Sequence, residues 1–289
     1  MLTPAQLELR RGLITATDAA AICSTNPWRT AYDVYADKKG SGPRFEGNAR
    51  TRMGHRLEPI ILASMREEHG WGLVANAETH VDSILPWLGA TPDAFEYDQS
   101  AHPVGVGECK AVGADNRDWS DLEIPDYVLV QVTVQMHVSR VKRARVGKLV
   151  GTDLATYTVE LDPDLDTAIL ERCDRFRREH LDRNVPPPVD GSDAATRMLA
   201  GLFPRSQKRY VELTPELDLW AKDYLEVKAA IKTQETYLEK IEQKFKLALA
   251  DAEGVNGQGW KARWPTVEAA HVEAYDRKAY RRFTLTEGK

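Results

Sequence analysis

Two acidic residues and a lysine stand closest to usable chemistry in this chain. Asp93 ends the run GATPD (residues 89–93), and 14 residues separate it from Glu108 in GECK (residues 107–110). On a strand, successive side chains point to opposite faces, so Glu108 and Lys110 share one face and Cys109 takes the other. Hard divalent cations are held by a few carboxylates together with several waters. An acid at the end of one strand and an acid on its neighbour can therefore converge on one ion. A lysine on the same face can hold or deprotonate an attacking water and offset phosphate charge, while the ion polarises the phosphoryl oxygen and stabilises the leaving oxyanion. An acid and a lysine two apart on a strand also describe an ordinary surface salt-bridge ladder. Here they lie within VGVGECKAV (residues 104–112), among small and apolar residues where charge is costly unless paired or metal-bound. From the residue types alone both readings stand.

The elements that must position these groups follow from periodicity. Residues 48–70 read as a helix, with Met53, Leu57, Ile60, Ile61 and Met65 near helical spacing and Gly70 as the stop. Pro59 inside this run must start or kink a helix, which places Glu58 at a discontinuity or in a first turn. After Trp71 the period shortens, and residues 72–112 read as three or four short strands broken by Pro and Gly turns. DYVLVQVTVQMHVSR (residues 126–140) is ambiguous. Its β-branched residues suggest a strand, but apolar positions 128, 129, 132 and 136, with Gln131 and Gln135 one turn apart, fit a helix. Residues 144–161 alternate like paired strands, and residues 163–182 form an amphipathic helix. Near the N-terminus, Thr15 or Thr17 serves as N-cap of an Ala-rich helix, and residues 30–40 form a second short one. The fold class is α+β, with a mixed sheet between helices.

The expected organisation is a core over residues 1–190, a connector over 191–213 after the prolines at 186–188, and an extension over 214–289. In the extension Thr214 and Pro215 mark a helix start, and Leu217, Trp220, Tyr224, Val227, Ile231, Leu238, Ile241 and Phe245 recur at threes and fours. So long a stripe requires a partner: the core, the chain folded back on itself, or another subunit. Residues 255–265 read as a terminal β-hairpin.

Composition limits the function classes. The 289 residues carry three cysteines with no CxxC and no run near the roughly 20 apolar residues of a membrane span, so a soluble cytoplasmic protein without disulfides is expected. The net charge of −5 argues weakly against nucleic acid as a partner. Basic residues nevertheless collect at 140–148, 175–183 and 276–282, which allows a charged channel on an acidic body.

Taken together, GATPD, GECK, GHRLEP (residues 54–59) and RRGLITATDAAAI (residues 10–22) resemble the YqaJ-type viral recombinases, the family of phage lambda exonuclease within the PD-(D/E)XK nucleases. The resemblance spans roughly residues 5–185 and implies an α/β/α core like that of restriction endonucleases. It implies that Asp93, Glu108 and the Cys109 carbonyl ligate catalytic magnesium, with manganese a possible substitute. Lys110 would position or activate the water, and Glu58 would stand near a second metal position.

It further implies that Arg10 and Thr17 recognise a terminal 5'-phosphate, with Arg11 the alternative to Arg10. Tyr127, Gln131 and Gln135 match a segment on the helix after the ExK strand, which favours helix there. Gln131 would touch the scissile phosphate or order the lysine and a water, and Gln135 either does the same or is a buried amide. Thr133 stands where many relatives carry glutamine. Trp28, in a loop beside Arg29, suits stacking on or splitting a terminal base pair.

The function implied is a magnesium-dependent 5'-to-3' exonuclease on linear duplex DNA, leaving 3' single strands for a recombination partner such as a single-strand annealing protein. The resemblance points to a homo-oligomer, a trimeric ring. The alternatives are an endonuclease of the same fold and a DNA-binding module that recruits an annealing protein.

Overall fold

The computed structural model describes residues 4–40, 48–113, 119 and 123–266. The basic run 276–282 lies outside the described residues. Two compact units divide the chain, Met1–Leu202 and Phe203–Lys289.

The first unit opens with α1 (Pro4–Arg11), β1 (Ile14–Thr15), α2 (Ala16–Ile22), α3 (Ala31–Lys38) and α4 (Ala49–His69). Five strands follow: β2 (Leu73–Ala75), β3 (His80–Val81), β4 (Leu88–Ala90), β5 (Ala94–Tyr97) and β6 (Pro103–Val112). Then come α5 (Asp126–Ser139), β7 (Arg143–Val150), β8 (Asp153–Glu160), α6 (Pro163–Phe176) with a π turn at Arg177–Leu181, and α7 (Asp193–Leu202). There is one strand more than the upper expectation for this stretch, because β3 is a two-residue piece paired only with β4.

A five-stranded mixed sheet in the order β2-β5-β6-β7-β8 forms the centre. β6 and β7 are parallel and the other pairs antiparallel. A parallel pair needs a crossover connection, and α5 provides it. Val128, Val132 and Met136 of α5 pack on Val106, Ala144 and Val146 of the sheet. Its other side, with Val130, Val134 and Val138, joins α2, α3 and α6 in a second cluster. A helix buried on both sides has no single apolar stripe, which is why its sequence read equally well as a strand.

The opposite face of the sheet is covered by α4, whose Ile61, Leu62 and Met65 pack with Leu73, Ala94 and Cys109. α4 is capped by the Asn48 side chain, which accepts from Thr51 N, and by Gly70 at φ 65°. Pro59 does not break it. The helix runs on through the proline, so Glu58 sits mid-helix and not in a first turn; Pro59 is exposed, where water can satisfy the carbonyl left without its N–H partner. The Ala-rich helix is capped by Thr15, not Thr17.

The expected boundary at residue 190 moves to Leu202, since Ala195 of α7 is buried in the first unit's core. The second unit holds α8 (Pro215–Leu249), capped by Thr214, and a hairpin of β9 (Gly254–Asn256) and β10 (Lys261–Arg263). Among the described residues no helix is long and apolar enough to cross a membrane.

Gly147 on β7 lets α4 lie directly on the sheet. A Cβ there would stand 2.5 Å from Met65 Sδ and 2.8 Å from Ile61 Cγ2. Gly147→Ala should therefore cost about 1–3 kcal/mol through overpacking. A denaturant titration reads this as a lower midpoint at unchanged slope. An unaltered midpoint would mean that α4 does not rest on β7 in this way.

Candidate active site

Strand alternation on β6 separates two chemistries. Glu108 is buried on the α5 face, and Cys109 turns into the α4 cluster. Asp93, just before β5, is tied to β6 twice: its N–H donates to the Gly107 carbonyl at 3.1 Å, and its Oδ2 accepts the Cys109 N–H at 2.8 Å. The turn after β4 thus delivers one acid to the strand that carries the other.

Glu108 is clamped from α5. Its Oε1 accepts from Lys110 Nζ at 2.5 Å and from Gln131 Nε2 at 2.7 Å, and its Oε2 accepts from Gln135 Nε2 at 2.6 Å. Lys110 Nζ also donates to Gln131 Oε1 at 3.0 Å. One helical turn between Gln131 and Gln135 therefore places two amides on one carboxylate. Gln135 is 1% exposed, so it stands beneath Glu108 and is not a surface contact for DNA. Its Oε1 is buried with no hydrogen bond among the described residues.

The electrostatics are those of an acid pair short of positive charge. Burial and then the charge of Glu108 push the Asp93 carboxyl well above the usual carboxylate range, against the pull of Lys110 and the Cys109 N–H; Glu58 adds to the rise. Burial would lower the Lys110 ammonium, but Glu108 and Asp93 outweigh it and raise it. Beside the two uncompensated acids Lys110 is thus held as a cation, suited to holding a water or a phosphate oxygen. Burial and the surrounding acids push the Cys109 thiol up, so it is inert as a nucleophile.

Glu58 is half-buried on α4, its Oε1 hydrogen-bonded with His55 Nδ1 at 2.7 Å. Its charge is felt at Asp93 and Cys109. Among the described residues no three His, Cys, Asp or Glu side chains are gathered tightly enough to enclose a metal by themselves. The donor set is of the open kind, two carboxylates with remaining positions for water and substrate, which fits a hard divalent cation.

A second group adjoins this one. Arg10 Nη1 donates to Thr91 Oγ1 at 2.9 Å, two residues before Asp93, and Thr91 Oγ1 also meets Thr79 Oγ1 at 2.9 Å. Asp18 organises the cations around Arg10. It completes the capping box with Thr15, pairs with Arg29, and lies 2.7 Å from Lys38 Nζ. Burial alone would raise its pKa, but Arg29, Lys38 and the Thr15 N–H hold it down at about 2. Lys38 also donates to the Arg10 carbonyl at 2.8 Å. Arg11 points away and pairs with Glu8 on the surface, which selects Arg10 as the inward arginine. Thr17, in the first turn of α2, is partly exposed, and its hydroxyl makes no hydrogen bond among the described residues; with Thr15 as the cap, that hydroxyl has no structural duty. Trp28 is 68% exposed and meets the Tyr127 ring edge-on at 5.1 Å.

Sequence reading missed Thr91, Asp18, Arg29 and Lys38. The spacing Thr15-x-x-Asp18 was a legible capping-box signal, but nothing in the sequence showed that one carboxylate would gather cations from α3 and the preceding loop.

Residues 6–142 match the model of the YqaJ-like viral recombinase domain. Over that stretch the chain is similar to the YqaJ-like viral recombinase family. The stretch includes every residue of both groups described above. The protein YqaJ of Bacillus subtilis (strain 168), uncharacterised, is 24% identical over 273 residues, covering 92% of this chain and 84% of its own. That match takes in most of the C-terminal unit, which the motif resemblance did not reach. Among solved structures, the alkaline exonuclease LHK-Exo of Laribacter hongkongensis aligns with a TM-score of 0.50 at 18% identity, covering 63% of this chain and 97% of that one. LHK-Exo in complex with dAMP aligns with a TM-score of 0.51 at the same identity and coverage. The chain thus has a fold similar to that of the alkaline exonucleases, and the mixed sheet between helices agrees with the expected fold class.

Asp93→Asn should stabilise the metal-free protein at neutral pH. The native carboxyl is raised, so its stability cost appears as pH rises through the unfolded-state value and grows up to the folded one. Asparagine keeps an acceptor for the Cys109 N–H without the charge. The expected result is a higher Tm at pH 7, by about 2–4 °C per kcal/mol released, with the difference shrinking towards pH 4. A Tm gain of the same size at both pH values would show that charge is not its source.

Proposed function

We propose that the protein is a divalent-metal-dependent deoxyribonuclease that digests linear duplex DNA from 5' ends and leaves 3' single strands for recombination. The observation that carries this reading is the adjacency of two groups built on neighbouring residues: Asp93, Glu108 and Lys110 on one side, and Arg10, hydrogen-bonded to Thr91, on the other. The match to the YqaJ-like viral recombinase domain and the likeness to the alkaline exonuclease fold support it.

In this reading Asp93, Glu108 and the Cys109 carbonyl hold magnesium, for which manganese can substitute, and Glu58 lies nearby. The ion, when bound, polarises the scissile phosphoryl group and stabilises the leaving oxygen. Lys110 orients the attacking water as a fixed cation donor, and Gln131 holds the Lys110 ammonium and Glu108 in register. Gln135 fixes the second oxygen of Glu108 from below. Arg10 supplies a planar guanidinium to the terminal 5'-phosphate. Arg29 and Lys38 add positive charge there, and Thr17 presents its hydroxyl at the start of α2. Trp28 offers an exposed ring to the last base pair. The substrate is then a duplex end bearing a 5'-phosphate, and the 3' strand left behind would pass to a single-strand annealing protein.

One duplex in four forms tests this: linear with 5'-phosphate, linear with 5'-hydroxyl, closed circular, and end-labelled on either strand. Metal-dependent loss of the 5'-phosphorylated strand, an untouched circle, and loss of at least 100-fold in rate for Lys110→Ala are expected. Arg10→Ala should slow digestion of phosphorylated ends at least tenfold and leave hydroxyl ends little changed. Cutting of the circle would make the protein an endonuclease, and no metal-dependent cutting of any form would defeat the nuclease reading.

A further inference from the structure

The second unit carries a feature that DNA cleavage does not explain. α8 is 35 residues long, about 52 Å at 1.5 Å per residue. From Leu217 to Phe245 its apolar positions recur at alternating steps of three and four, broken only by the polar Gln234. That is the seam of a left-handed coiled coil. Among its residues Trp220, Val227, Ile231 and Leu238 are 55%, 57%, 52% and 57% exposed. Towards the C-terminus the hairpin closes over the helix, where Phe245 meets Trp260 edge-on at 5.8 Å and Leu249 is buried.

The charges beside the seam identify its partner. Asp223 and Lys244 flank it on one side, Lys228 and Glu235 on the other, and none of the four makes an ion pair with a described residue. Pairing the helix with its own copy in antiparallel register, centred between Lys232 and Thr233, puts Val227 against the partner's Leu238. In that register Asp223 faces the partner's Lys244 and Lys228 faces the partner's Glu235. Symmetry doubles each pair, giving four complementary contacts and no like-charge contact. In a parallel pair Asp223 would face the partner's Lys228, but Lys244 would face the partner's Leu249, which leaves one complementary pair in place of two. We infer that α8 is a self-association element that joins two copies of this chain through an antiparallel coiled coil. A foreign partner would have no need for flanking charges that match under this helix's own twofold. The contact is independent of the nuclease reading and of any ring formed by the first unit.

The test is the mass of the full chain by light scattering. Ile231→Asp, at the centre of the seam, should halve the mass of the parent assembly without reducing helix content by circular dichroism. Orientation is read by cysteine pairing: Asp223→Cys and Lys244→Cys, each on a separate chain, should give an interchain disulfide on oxidation only when the two variants are mixed, with the parent as control for the native thiols. A parent mass equal to that of Ile231→Asp overturns the proposal and leaves the face to residues 267–289 or to another protein. Efficient cross-linking of either variant with itself overturns the antiparallel arrangement. Should Ile231→Asp lose helix content, Lys244→Glu takes its place, with Asp223→Lys added to restore the parent mass.

Discussion

Two neighbouring carboxylates, Asp93 in the turn before β5 and the buried Glu108 within β6, set the terms for the rest of the first unit. An unpaired buried charge is expensive, and the unit supplies partial compensation from several elements: the Cys109 N–H and Lys110 from the strand, and two glutamine amides from α5. The compensation is incomplete, since Asp93 stays well above its ordinary range. In the proposed reading a divalent cation would supply the balancing charge that the strand and α5 leave out.

The parallel pairing of β6 and β7 serves the same end. It requires α5 as a crossover, and that helix brings Gln131 and Gln135 across the sheet to Glu108. On the far face, the missing side chain of Gly147 lets α4 approach and carry Glu58 towards the acids. The second cation group grows from a different local device, the capping box of α2. Asp18 caps a helix and in the same act collects Arg29 and Lys38 beside Arg10. Positive charge is thus concentrated at one place on an acidic protein, and in the proposed reading this is where the terminal phosphate of a polyanionic substrate would lie.

Much of the site was legible because its members are close in sequence or carry strand alternation. The shared face of Glu108 and Lys110 follows from spacing alone, and the amide pair follows once α5 is a helix. Asp93 could be tied to Glu108 only through the turn chemistry of GATPD and the family resemblance. What was not legible depends on long-range packing. The passage of α4 through Pro59 relies on solvent around an exposed turn, which no periodicity records. The depth of Gln135 depends on α2 and α6 covering α5, and the Asp18 cluster joins three separate segments. The expected domain edge moved because Ala195 finds a place in the core, a fact of packing and not of composition.

The central claim is that Asp93 and Glu108 together form one divalent-cation site. Calorimetric titration of the metal-free protein with Mn2+ measures this without any assay of activity. A single binding site in the parent, weakened at least tenfold in both Asp93→Asn and Glu108→Gln, is the predicted result. Undiminished Mn2+ binding in either variant would contradict it.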